Sequence, residues 1–182
     1  MVTLDECKKS LEDAPNCLVL LRAWLRWRGD DLVPRVENVR PEDLGAALAS
    51  VSVLEISSAD HVTYRLAGGL HAEALGKELR GENLVELLAP EEQQAFVERA
   101  RRFLAHPNGR ISDGRLIKPN GSETAIRTLA LPVTPRSADD PPRAYMALDT
   151  YGASRGPFDD PIAMISLDDE YIHVDIGYGP PD

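Results

Sequence analysis

The sequence has few cysteines, few aromatic residues and no long apolar run. Its two cysteines, Cys7 and Cys17, are spaced for neither a zinc site nor a redox motif, so we expect reduced thiols on helix faces. No window approaches the roughly 18 uninterrupted apolar residues of a membrane-spanning helix. The N-terminus mixes acidic and basic residues, unlike a secretory signal. We therefore expect a cytoplasmic protein that does not insert into a membrane.

The sequence also has fewer basic than acidic residues. Lys and Arg number 20 against 30 for Asp and Glu, which gives a formal net charge of −10. A surface of this sign repels phosphate backbones, which argues against nucleic acid as a direct partner. The length of 182 residues suits one globular domain with appendages. We divide the chain into an N-terminal helical segment at 1–30, a core at 31–151 and an acidic tail at 152–182.

Residues 1–30 predict two helices. Thr3 and Glu6 form a capping-box pattern, and Pro15 suits the first position of a second helix that ends at Gly29. The apolar face of that second helix carries Leu18, Leu21, Trp24 and Leu25. This face could pack on its own domain or on a second copy of the chain. Because it offers more apolar area than a free helix should expose, we predict that the chain self-associates through these four residues.

The core predicts two strands, several short helices, one longer helix and three further strands. Gly76 and Gly81 divide the short helices, and Pro90 begins the longer one. Hairpin connections imply a five-stranded antiparallel sheet with helices on one face, an α+β fold. In the tail, two strand-like runs flank Asp168-Asp169-Glu170 and predict a hairpin after a linker. That hairpin would dock on the domain, dock on a partner or remain mobile.

A series of short motifs gives the sequence a family resemblance over residues 18–150. The chain resembles a bacterial subfamily of small, single-domain PAS proteins that carry a tryptophan in an N-terminal helix. The motifs occur in this order: Trp24-x3-Arg28-Gly29, "LVPR" at Leu32 to Arg35, "RPEDL" at Arg40 to Leu44, "VLEI" at Val53 to Ile56, "YRLAG" at Tyr64 to Gly68, Gly76-x-Glu78-Leu79-x-Gly81, and Leu131-Pro132. The resemblance implies a PAS-like fold whose short helices curl over the sheet.

The resemblance also implies a non-catalytic sensory or regulatory module in bacterial signal transduction. Such a module signals through contacts with signalling proteins or as a homodimer, with or without a small apolar ligand in a cleft.

Alternation along Tyr64-Arg65-Leu66 places Tyr64 and Leu66 on one sheet face and Arg65 on the other, either solvated or paired with Glu55. The predicted cleft lining is Tyr64, Leu66, Leu75, Leu84, Phe96, Ala100 and Phe103.

No cofactor is required by the sequence, and the identity of a ligand stays unknown at this point. The region that matches the reactive-cysteine motif of flavin photoreceptors contains no cysteine, which argues against covalent flavin. We interpret His71 as a helix-start or surface histidine rather than a haem ligand. Two other functions stay open. One is a small cone-shaped α+β enzyme of the isomerase or dehydratase type, which needs a buried carboxylate as general base; Glu73 and Glu86 are the acids that the sequence places near the cleft, and both are expected to be exposed. The other is a ligand-free dimeric adaptor.

Overall fold

The computed structural model describes residues 1–151 and 162–179, without the side chain of Asp169. The predicted linker at 152–161 lies outside the described residues. The helices are α1 (Leu4–Ser10), α2 (Pro15–Arg28), α3 (Gly69–Leu75), α4 (Leu84–Leu87) and α5 (Pro90–Ala105), with 3₁₀ helices at Val36–Asn38 and Pro41–Ser50. The strands are β1 (Val51–Ser58), β2 (His61–Leu66), β3 (Gly109–Ile117), β4 (Glu123–Val133), β5 (Arg143–Tyr151) and β6 (Met164–Val174).

The strands form one antiparallel sheet in the order β2-β1-β5-β4-β3-β6. This arrangement confirms the predicted α+β fold and adds a sixth strand to the expected five. The predicted tail hairpin is wrong, because β6 runs as one continuous strand along β3. Its acidic run forms a bulge: Ser112 pairs with Tyr171 and Gly114 pairs with Leu167, so residues 168–170 lie opposite Asp113 alone. Pairing with β3 therefore overrides the local turn signal.

The β6 strand docks on the domain, one of the three outcomes left open for the tail. At its start, the Ala89 amide donates to the carbonyl of Ile165 over 3.0 Å. The Glu92 carboxylate accepts the Ser166 hydroxyl and the Leu167 amide, each over 2.6 Å. The N-terminal turn of α5 is thereby fixed to β6, which makes the tail part of the fold that surrounds α5.

The N-terminal helices pack on one face of the sheet, called the back face here and represented by Val51, Ile111, Leu129 and Ala147. Trp24 of α2 is fully buried, and its indole N–H donates to the carbonyl of Pro132 over 2.7 Å. The Trp27 indole donates to a carboxylate oxygen of Asp43 over 2.8 Å. The tryptophan motif is thus joined to two other motifs of the resemblance, "RPEDL" and Leu131-Pro132.

A buried carboxylate fixes the start of α2. Asp149 lies on the back face of β5, where its two carboxylate oxygens accept the amides of Asn16 and Cys17 over 3.1 and 2.8 Å. Amides in the first turn of a helix have no partner within the helix, and the helix dipole favours negative charge there. Asp149 therefore caps α2 from a distant part of the sequence and sets its position on the sheet.

The opposite face, called the front face and represented by Leu54, Leu116, Ile126 and Ala144, lies under α3, α4 and α5. Gly76 ends α3 in the left-handed conformation, with φ of 63°. The long helix α5 begins at Pro90, as the sequence predicts. The predicted succession of short helices is thus confirmed, and it curves over the front face as one straight helix would not.

Both edges of the sheet are partly occupied by the chain's own backbone. At the β2 edge, the Tyr64 amide donates to the carbonyl of Glu82 over 3.0 Å, and the Gly81 amide donates to the carbonyl of Tyr64 over 2.7 Å. At the β6 edge, the Val2 amide donates to the carbonyl of His173 over 2.8 Å. These bonds satisfy main-chain groups that an edge strand would otherwise present to another strand.

Replacing Asp149 with alanine should lower the free energy of unfolding by about 2 kcal/mol, because two buried amides lose a charged acceptor. Urea denaturation of Asp149→Ala and of wild type measures the difference. Asp139→Ala removes an exposed carboxylate and serves as the matched control. Equal midpoints for Asp149→Ala and wild type would show that Asp149 does not fix α2.

Replacing Gly114 with alanine should detach β6 from β3. A Cβ at Gly114 would lie 2.3 Å from the carbonyl oxygen of Ser166, closer than any stable contact. We expect faster amide hydrogen exchange in peptides from Met164–Val174, with β1 and β5 unaffected. Gly69→Ala is the control, since nothing lies within 4 Å of its Cβ position. Unchanged protection of β6 in Gly114→Ala would contradict the observed strand pairing.

Candidate functional site

A cavity of about 100 Å³ lies between the front face and helices α3 to α5. Its walls are mostly aliphatic and aromatic, and residues at and before the start of β6 complete them, including Ile162 and Ile165. The structure brings six of the seven predicted cleft residues to this cavity: Tyr64, Leu75, Leu84, Phe96, Ala100 and Phe103. The volume is comparable to the roughly 150 Å³ of a cavity that holds benzene, and below the roughly 300–1,000 Å³ of sites for drug-sized ligands.

Leu66 does not line the cavity, and its side chain is 56% exposed. The reason is a β-bulge at Arg65, where Leu54 pairs with Tyr64 but the next residue, Val53, pairs with Leu66. The extra residue reverses the alternation of side chains, so Leu66 leaves the face that Tyr64 shares with Leu54. Strict alternation predicted the wrong face for it. The predicted pairing of Arg65 with Glu55 is present, with 3.1 Å between Nη1 and Oε2.

His71 forms a polar corner of the cavity wall and is buried, contrary to the surface interpretation; it lies near the start of α3, as the helix-start interpretation expected. Its Nε2 lies 3.1 Å from the carbonyl oxygen of Ser50, which only accepts, so Nε2 carries the proton. Its Nδ1 then accepts the hydroxyl of Ser52 over 2.7 Å, and that hydroxyl oxygen accepts the amide of Gly68 over 3.3 Å. This network joins β1 to α3.

Burial of the imidazole lowers the pKa of His71 to about 4, although the hydrogen bond to the Ser50 carbonyl acts in the opposite direction. Both ring nitrogens already have partners, so the neutral ring serves to hold α3 against the sheet. This arrangement leaves neither nitrogen free to ligate a haem iron. Gly68 is required beside it, because a Cβ there would lie 2.3 Å from the carbonyl oxygen of Ala49.

At another part of the cavity, Arg99 of α5 and Arg110 of β3 form what we call the basic end, together with Ser112 and Thr128. Arg99 is 5% exposed. Its Nε donates to the carbonyl of Ala95 over 3.2 Å, and its Nη1 donates to the carbonyl of Asp168 over 3.1 Å. Its Nη2 is buried without a hydrogen-bond partner among the described residues.

Arg110 is held in a similar way. Its Nη2 donates to the carbonyl of Arg99 over 2.8 Å, and its buried Nε has no partner among the residues that the structure describes. The guanidinium carbons of Arg99 and Arg110 lie 5.5 and 4.8 Å from the centre of the Tyr171 ring, within cation–π range. The basic end therefore contains two positive charges whose protein partners are carbonyl groups and an aromatic ring.

Sequence reasoning did not identify the basic end. One signal was present: Arg99 follows Phe96 by three positions and precedes Phe103 by four, so it lies on the apolar stripe of α5. A charged residue within such a stripe indicates a buried charge. Arg110 gave no comparable signal, because an arginine at the start of a strand is ordinarily exposed.

The residues predicted for self-association lie mainly in the chain's own core. Leu21 and Trp24 are fully buried against the back face, and Leu18 and Leu25 are half-buried beside them. Leu21 and Trp24 therefore do not form an exposed apolar surface, because the sheet already covers their side of α2. Self-association stays a prediction, and of the four residues only Leu18 and Leu25 retain exposed area for it.

The acids proposed for general-base chemistry, Glu73 and Glu86, are exposed and do not line the cavity. Among residues 1–151 and 162–179, no group of three or more His, Cys, Asp or Glu side chains is arranged to hold a metal ion. Within the same part of the chain, no helix has the length and apolar character needed to cross a membrane. Cys7 and Cys17 are free and buried on α1 and α2, as expected.

Lowering the pH from 6.5 towards 4 should destabilise the fold through His71. Its pKa is about 4 in the folded chain against an ordinary 6.5, so the unfolded state binds more protons in this window. The stabilisation is complete above pH 6.5 and is lost as pH falls, by about 3 kcal/mol in total. Urea denaturation across this range should give a shallower pH dependence for His71→Gln. His61→Gln, at an exposed position, should keep the wild-type slope. Parallel slopes for His71→Gln and wild type would contradict the assignment.

The sequence matches a known protein family. A PAS domain family model matches residues 13–147. Among solved structures, the PAS-B domain of Drosophila melanogaster Cycle, a tryptophan-to-alanine variant with bound glycerol, is similar at 10% identity and a TM-score of 0.43, over 56% of this chain and 98% of that one. No curated protein sequence matches the chain. Since the family model spans well over half of the sequence, the chain belongs to the PAS domain family.

Proposed function

We propose that the chain is a non-catalytic sensory module of bacterial signal transduction. In this proposal a small molecule occupies the cavity under α3 to α5, and other proteins recognise the occupied state through contacts with the domain surface. The observation that carries the proposal is the cavity itself, an apolar space of about 100 Å³ between the front face and α3 to α5. Membership of the PAS family, whose domains are typically sensory or regulatory, supports the same function.

The energetics of the cavity support a binding role. Unfilled apolar space costs roughly 24 cal/mol per Å³ in a protein core, so this cavity lowers stability by about 2 kcal/mol when nothing fills it. A ligand that fills the space recovers contacts that the protein lacks and stabilises the fold by mass action. On the back face of the same sheet, by contrast, Trp24 is fully buried within the hydrophobic cluster.

The position of the cavity would allow a partner at the protein surface to detect whether a ligand is bound. Its outer wall consists of short elements, of which α3 has seven residues and α4 has four. Short helices with few contacts are among the segments that most readily change position. Leu70 of α3 both lines the cavity and is 38% exposed, so one side chain connects the space to the surface. A partner that contacts α3 would therefore detect occupancy directly.

The enzymatic alternative requires a carboxylate in the cleft that acts as general base. The described residues that line the cavity include histidine, arginine, serine and threonine but no Asp or Glu. The single histidine, His71, uses both ring nitrogens in hydrogen bonds to β1. The chemistry of the site thus favours recognition of a ligand over proton transfer.

Filling the cavity from within should abolish ligand binding. Benzamide is a neutral probe of suitable size, and we expect it to slow amide hydrogen exchange in α3 and α5 of the wild type. Ala100→Leu projects a larger side chain into the cavity and should prevent that effect. Ala105→Leu, exposed at the end of the same helix, should bind benzamide normally. If benzamide leaves the exchange of the wild type unchanged, or protects Ala100→Leu equally, the cavity is not a binding site.

A further inference from the structure

The basic end of the cavity contains two positive charges without a described counter-ion. The carboxylates of Asp168 and Glu92 have other partners. The Asp168 carboxylate lies 3.7 Å from Arg115 and offers Arg99 only its backbone carbonyl, and the Glu92 carboxylate is occupied by Ser166 and Leu167. Among the described side chains, no carboxylate lies within ion-pair distance of Arg99 or Arg110.

Two guanidinium groups without a counter-ion lower the stability of the ligand-free protein. Buried guanidinium groups are normally paired with carboxylates or fully hydrogen-bonded, because removing an ion from water without compensation costs several kcal/mol. Here two buried nitrogens, Nη2 of Arg99 and Nε of Arg110, have no described partner, although both residues line a cavity. Unpaired donors on two residues of a cavity wall indicate a site for a group that accepts hydrogen bonds.

The electrostatics agree with an anion site. Burial is the main reason that the pKa of Arg110 is lowered to about 10, and the nearby charges of Arg99 and Arg102 act in the same direction, against the opposing influence of Tyr171. Arg110 therefore remains protonated near neutral pH, with two other positive charges close to it. An anion placed between the two guanidinium groups would relieve this repulsion.

We propose, building on the sensory function above, that the ligand is a small monocarboxylate. Its carboxylate binds Arg99 and Arg110 at the basic end. Its apolar body, about the size of a benzene ring, lies between the apolar residues of α5 and the front face. The basic end thus recognises the carboxylate, and the apolar part of the cavity recognises the apolar body of the same molecule.

The number and type of the free donors favour a carboxylate over other charged groups. A carboxylate has two oxygens in one plane, which suits guanidinium donors from two side chains. A phosphate dianion presents more acceptors, whereas the remaining polar groups here are the hydroxyls of Ser112 and Thr128, and Thr128 already donates to the carbonyl of Ser112. A cation would be repelled by both arginines. The rest of the wall is too apolar for a second charged group.

Benzoate and benzamide form a matched pair of probes that differ in charge and hardly in size. Isothermal titration calorimetry of the full chain should show that benzoate binds at least about tenfold more tightly than benzamide, since hydrogen bonds to a charged group contribute more than neutral ones. Arg110→Met should remove this preference, because it should weaken benzoate binding more than benzamide binding. Arg101→Met changes an exposed arginine of α5 and should retain the full preference.

Thermal unfolding of the ligand-free variants provides a second readout. Because Arg110→Met removes a buried charge that lacks a counter-ion, its Tm should equal or exceed that of the wild type. A lower Tm together with an unchanged benzoate preference would assign Arg110 a structural role and overturn the proposal.

The wild-type titration alone separates the two levels of inference. Equal affinity for benzoate and benzamide would overturn the carboxylate site and leave the sensory cavity intact. Binding of neither molecule would overturn both.

Discussion

The capping of α2 by Asp149 positions this helix on the back face of the sheet. Two amides of the first turn reach a carboxylate that the sequence places more than a hundred residues away. With its start fixed in this way, α2 packs Leu21 and Trp24 against the back face. The hydrogen bond from the Trp24 indole to the Pro132 carbonyl then fixes the C-terminal half of the helix. The back face then carries a hydrophobic cluster that includes the side chains of Leu21 and Trp24.

The front face shows the opposite character. Two of its three helices are short. The cavity wall includes the buried His71 and Arg99 and the half-buried Arg110, and residues around β6 complete it. Ile162 illustrates this dependence, because its side chain lines the cavity while its amide donates to the carbonyl of Ala74 over 2.8 Å. This part of the tail therefore belongs to the cavity wall. Glu92 strengthens the same connection by joining the N-terminal turn of α5 to β6.

Local patterns in the sequence were enough to predict most elements, because the causes of those elements are local. Pro15 and Pro90 begin helices at positions where a missing amide has no cost, and the stripe from Phe96 to Phe103 predicts which side of α5 is buried. Six cavity residues followed from these patterns.

The failures share another cause, which is pairing between distant parts of the chain. The bulge at Arg65 turned Leu66 away from the cavity, and the bulge at residues 168–170 turned an expected hairpin into one strand. Both depend on the register of a neighbouring strand, which alternation within a single segment does not contain. Arg110 was missed for the same reason, since its burial results from α5 and β6 lying over it. Leu21 and Trp24 were assigned to a partner because the back face that covers them is formed by much later strands.

The occupied edges of the sheet restrict how this domain can join larger assemblies. Where Glu82 and Gly81 cover β2 and Val2 covers the end of β6, a foreign peptide finds no main-chain groups with which to form an additional strand. Recruitment along those stretches must instead depend on side-chain complementarity, which single substitutions can alter without disturbing the hydrogen-bonded ladder. The same bonds disfavour edge-to-edge pairing between copies of the sheet along those stretches.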